Sequence, residues 1–85
     1  MNTPEDFMRD ALIELNHARK KFPSANHSFL ALTEEVGELA QAILKVRAGK
    51  WDKLRIYQEA IQVATMAMRV ALENDESLKV DYREP

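Results

Sequence analysis

The sequence predicts an all-α protein: antiparallel helical hairpins forming a four-helix-bundle-like core that oligomerisation completes. Three observations predict it. Glycine and proline number only two and three in 85 residues, so turn punctuation falls at few places. Between those places the strong helix formers Ala, Leu, Glu, Lys, Arg, Gln and Met dominate. Apolar residues recur at steps of three and four, the period of one helix face.

The first helix is expected near residues 4–22. Thr3 is a good N-cap, Pro4 suits the first helical position, and Glu5 and Asp6 favour the positive end of the dipole. Met8, Leu12, Leu15 and Phe22 recur at near-helical spacing, Arg19 to Lys21 suit the negative end, and Pro23 stops the helix. The second is expected near 27–48, with Ser24 or Asn26 as its cap and Gly49 as the C′ residue that ends it. Its residues Phe29, Leu32, Val36, Leu39, Ile43 and Val46 form a narrow packing seam. The third is expected near 52–74. Ile56, Val63, Met66 and Val70 make one stripe, Ala60, Ala64, Ala67 and Ala71 a second, and Ile61, Met68 and Leu72 lie on yet another side. A helix apolar nearly all round needs cover on all sides, which points to a homodimer or homotetramer. Residues 1–75 therefore read as one helical domain, and 76–85 as a polar tail in which Val80 and Tyr82 alternate with charges.

Composition excludes several classes. A lone domain of this length is often marginal. Without cysteine it has no disulfide, thiol nucleophile or Cys-based zinc site, so a second copy is the expected stabiliser. The formal net charge of −2 disfavours nucleic acid as a partner. No apolar run approaches the roughly 20 residues that span a bilayer. The acidic start, MNTPEDFMRD, lacks an apolar signal core. The expected setting is cytoplasmic, away from membranes.

The segment from Leu32 to Leu39 carries the chemistry. Glu34, Glu35 and Glu38 fall within five residues of one helix. Glu35 and Glu38, at i and i+3, point to one side, which borders the apolar seam; Ala31 and Ala42 lie on the same strip and leave room above the carboxylates. Glu59 stands inside the apolar stripe of the third helix, and Gln62 repeats the i, i+3 spacing there. Glu38 and Glu59 are about six helical turns apart along the chain. The turn near Gly49 is roughly midway, so the two pairs share a depth and can face each other. Hard oxygen ligands at this density suit Mg²⁺ or Mn²⁺ rather than zinc. Two plainer readings stand beside this one: a solvated acidic face, and a Glu59 paired with Arg69, Lys53 or Arg55.

At Glu34-Glu35-Val36-Gly37-Glu38-Leu39 the chain resembles the MazG-like, all-α nucleoside triphosphate pyrophosphohydrolases, which carry an EExxE motif on one helix and an ExxD motif on the next. The resemblance runs from Phe29 to Val70, about half the chain. It implies a Mg²⁺-dependent, oligomeric enzyme that cleaves a nucleoside triphosphate to the monophosphate and pyrophosphate. Carried over by position, Glu35, Glu38 and Glu59 are metal ligands and Glu34 an accessory acid, with Glu34 or Glu35 taking the proton of the attacking water. The pattern departs at Gln62, where the family has aspartate. An amide oxygen still ligates a hard cation but brings no charge and no base. A binding homologue that has lost turnover is therefore one alternative, and a purely structural helical oligomer another. For substrate, Lys45 and Lys53 are the candidate phosphate-holding cations, and Asn26 and His27, just before the acidic helix, the candidate contacts to the nucleoside.

Overall fold

The computed structural model describes residues 2–78; the expectation for Val80 and Tyr82 lies outside them. Among the described residues there are three α-helices and no strand: α1 (Pro4–Lys21), α2 (Ser28–Arg47) and α3 (Leu54–Leu72), followed by one 3₁₀ turn, Glu76–Leu78. None of the helices is long and apolar enough to cross a membrane.

Local chemistry sets the helix ends. Thr3 and Asp6 form a capping box at α1: Asp6 N–H donates to Thr3 Oγ1 at 3.1 Å, and Thr3 N–H donates to Asp6 Oδ2 at 3.0 Å. Gly49 takes φ +74 just past α2, where an L side chain would be strained, so the chain turns there. Trp51 closes the turn by donating its N–H to Lys45 O at 3.3 Å and stacking beneath the Arg55 guanidinium, 4.2 Å from its ring centre. Asp52 Oδ1 accepts the N–H of Leu54, so α3 begins two residues after that aspartate.

The start of α2 departs from expectation. Neither Ser24 nor Asn26 caps it. The N-cap residue is His27, held at φ 66, and its own side chain makes no capping bond. The cap comes from beyond α3. Asp75, fully buried, accepts the backbone N–H groups of His27 at 2.9 Å and Phe29 at 3.5 Å and the hydroxyl of Ser28 at 3.4 Å. Ser77 donates both its N–H and its hydroxyl to the same carboxylate. Burial alone would raise the Asp75 carboxyl, but these donors outweigh it and hold it at about 2.

Tertiary packing is centred on α3. It packs against both α2 and α1, whereas α1 and α2 do not approach each other. α1 pairs with α3 start to start, with the Tyr57 hydroxyl donating to Asp10 at 2.6 Å, and end to end, with Arg19 Nε 2.8 Å from Glu73. The two helices therefore run in the same direction, so α1 is not the partner of an antiparallel hairpin. Phe7 meets Tyr57 edge to face, ring centres 5.7 Å apart. Among the described residues the buried apolar ones are Ala11, Leu15, Ala42 and Ile61.

That core is small for a chain 46% hydrophobic, and the shape agrees. The radius of gyration is 14.3 Å, against about 12 Å for a compact domain of this length. The α2 seam is split: Leu32, Leu39 and Val46 are half-buried, while Phe29, Val36 and Ile43 stay 52%, 49% and 38% exposed. Those three recur every seventh residue, so they form one uncovered line along the helix.

Candidate metal centre

Glu35 and Glu38 project from one side of α2, and Glu59 meets them from α3. One carboxylate oxygen from each lies within 4.8 Å of the other two. Glu35 and Glu59 are half-buried, Glu38 exposed. Ala42, with no exposed surface, lets the two helices approach closely enough for this meeting. Ala31, one turn before Glu35, lines the open side.

The electrostatics of the cluster are unfavourable as it stands. Burial, a hydrogen bond with Glu38, and the charges of Glu38, Glu59 and Glu34 push the Glu35 carboxyl up to about 7. Glu35 Oε2 is buried, and among the described residues no hydrogen-bond donor reaches it. Among the described residues the one cation paired with the cluster is Arg55, whose Nη2 stands 4.0 Å from Glu59 Oε1, one turn along α3. Of the partners considered for Glu59, Arg69 instead pairs with Glu73 at 3.0 Å. A buried acceptor without a donor, set among carboxylates, is what a bound cation would satisfy. The donors are all hard oxygens, which fits Mg²⁺ or Mn²⁺.

The other expected residues are distributed unevenly around this centre. Glu34 is exposed beside Glu35. Gln62, half-buried, lines the same groove as Glu35. Asn26 also lines that groove, while its Oδ1 accepts the N–H of Glu76 at 3.0 Å. His27 is exposed at the start of α2, and its backbone is tied to Asp75. Lys45 is half-buried near the end of α2 and Lys53 exposed before α3; neither lines the groove.

The groove has a volume of about 540 Å³ and runs from Glu35 to the end of α1. It exists because α1 and α2 flank α3 without touching. Phe22 and Arg69 are among the lining residues that carried no expected role in binding. Phe22 is 60% exposed at its rim, beneath Lys21 Nζ at 5.5 Å. Arg69, 2% exposed, forms part of its wall. Glu73 anchors the Arg69 guanidinium at Nε, 3.1 Å away, and pairs with Arg19 as well. Burial pulls the Glu73 carboxyl up, and the two guanidiniums outweigh it, leaving the carboxyl below its usual range. Arg69 Nη2 is buried and stands 3.0 Å from Glu73 Oε1, so the same carboxylate holds both of these guanidinium nitrogens. The sequence signal for this residue was an arginine at i+3 from Met66, inside an apolar stripe.

No protein-family model, no curated protein and no solved structure matches this chain.

Proposed function

We propose that this chain is a Mg²⁺-dependent pyrophosphohydrolase of the MazG-like kind, cleaving a nucleoside triphosphate to the monophosphate and pyrophosphate. The observation that supports it is the convergence of Glu35, Glu38 and Glu59 oxygens within 4.8 Å, with Glu35 Oε2 buried and unpartnered. In this reading α2 and α3 form an antiparallel hairpin, and a second copy covers the Phe29, Val36 and Ile43 line. The enzyme works on free nucleotides in the cytoplasm.

Each residue then has a task. Glu35, Glu38 and Glu59 hold the cation, with the Gln62 amide oxygen as a neutral fourth donor. A cation held by these residues would supply charge neutralisation for the triphosphate and a site for the attacking water. Glu35, or the adjacent Glu34, takes the proton of that water. The groove beside Glu35 receives the rest of the substrate.

Gln62 favours a second reading. It stands where the resemblance expects aspartate, and it supplies neither charge nor base. The chain would then bind a metal–nucleotide complex without turning it over.

Pyrophosphate release from a panel of canonical and modified nucleoside triphosphates, with Mg²⁺, Mn²⁺ or EDTA, tests both. Metal-dependent release is the expected result. No release, with Mg²⁺ still raising the melting temperature, selects the binding protein. No release and no metal effect would leave a structural helical oligomer.

A further inference from the structure

We infer that α2 packs antiparallel against α2 of a second copy, about a two-fold axis between Val36 and Gly37. The pairing rests on the proposed function only in calling for a second copy, and on none of its phosphate chemistry. Phe29, Leu30, Val36, Ile43 and Leu44 are 52%, 57%, 49%, 38% and 64% exposed. With Thr33, Gly37 and Ala40, also exposed, they form one face of α2. The Thr33 hydroxyl donates to Phe29 O at 3.1 Å, so covering it strands no donor. No charge lies on this face between Phe29 and Leu44, because Glu34, Glu35 and Glu38 fall on the rest of the helix circumference. A pairing through it therefore leaves each acidic centre open.

The face is its own complement. Counted outward from the axis, Val36 pairs with Gly37, Thr33 with Ala40, Leu30 with Ile43 and Phe29 with Leu44. Every exposed position on one side of the axis thus finds an exposed position on the other. That is the property of a two-fold interface, in which residue i meets j and j meets i. Small residues lie near the centre of this order and large ones at its ends. Two helices come close where they cross on small residues, and large side chains fill the space where they diverge. The face exposes on the order of 600 Å² per copy, so two copies bury about 1,200 Å², where stable interfaces begin.

Gly37 is the independent sign of a close neighbour. It sits in the middle of a 20-residue helix, where only proline is a poorer helix former. Its own chain gives no reason for it, since a Cβ there would meet nothing within 4 Å. A second helix does give one: Val36 of the partner subunit comes against bare backbone, which a larger residue would block.

The chain has no cysteine, so introduced thiols report the register. Thr33→Cys and Ala40→Cys chains, mixed and oxidised, should form the mixed disulfide dimer in about tenfold or greater excess over either same-residue dimer. In this register like residues stand seven positions apart, about 10 Å along the axis, beyond the roughly 7 Å that a disulfide spans. In sedimentation, Gly37→Leu should raise the dimer dissociation constant about tenfold or more. It should also keep the helical circular dichroism, because the added side chain meets nothing in its own chain. A wild-type monomer, absence of the mixed crosslink, same-residue crosslinks in its place, or a Gly37→Leu chain that associates as tightly as wild type each overturns the inference. Metal-dependent hydrolysis by a monomer would overturn it while leaving the pyrophosphohydrolase reading intact. The mixed crosslink without metal-dependent hydrolysis would uphold the dimer and remove the enzyme.

Discussion

Asp75 accepts the backbone N–H of His27 at 2.9 Å, across 48 residues of chain, and so caps α2 from the far side of α3. The segment after α3 and the loop before α2 are thereby one unit, reinforced where Glu76 N–H donates to Asn26.

Stability should follow the Asp75 carboxylate in acid. Its value is depressed to about 2 in the folded chain from an ordinary 3.8. Its contribution is therefore complete above the ordinary value and is lost as pH falls through the folded one. Thermal unfolding measured between about pH 5 and 2 should show this loss, and Asp75→Asn should lower the melting temperature at neutral pH and flatten the slope. An unchanged slope would mean that another carboxylate governs acid stability.

Tyr57 behaves in the opposite sense. Its hydrogen bond to Asp10, burial and the negative charges nearby push the phenol up to about 12. Its contribution holds below the ordinary value of 10 and fades as pH rises through the folded one. In an alkaline absorbance titration one tyrosine should ionise late, and Tyr57→Phe should remove that late step while keeping the ring contact with Phe7.

Divalent cation should stabilise the chain. At about 100 times its dissociation constant, a ligand of the folded state adds roughly 2.7 kcal/mol. Glu59→Gln and Glu35→Gln should each abolish the Mg²⁺-induced rise in melting temperature, and should raise the metal-free melting temperature by relieving repulsion. A Mg²⁺ effect that survives both substitutions would place the cation elsewhere.

Ala42 sets how closely α2 approaches α3. Ala42→Leu should cost about 1–3 kcal/mol by overpacking. It should also weaken Mg²⁺ binding, because Glu35 and Glu38 ride on the displaced helix. Chemical denaturation and a metal titration read the two effects separately.

The uncovered α2 line makes the last prediction. Sedimentation should find at least two copies, and Val36→Glu, which puts a charge in that line, should shift the equilibrium to monomer. A wild-type monomer at high concentration would leave Phe29, Val36 and Ile43 as solvent-facing residues.

The helical composition, the Thr3 capping box, the stop at Gly49 and the shared side of Glu35 and Glu38 were legible in the sequence. Each depends on residues three or four apart, or on the backbone preference of one residue, so the chain determines them before it folds. The approach of Glu59 to Glu35 and Glu38 was legible too, from their equal depth about a single turn. What only the tertiary structure decided depends on long-range contacts. α1 lies on α3 rather than on α2, and that choice opens the groove. Asp75 displaces Ser24 and Asn26 as the cap of α2, and Glu73 takes Arg69 away from Glu59. A carboxylate has no periodicity that announces its partner. Which guanidinium or helix end it meets is settled when apolar packing brings distant segments together.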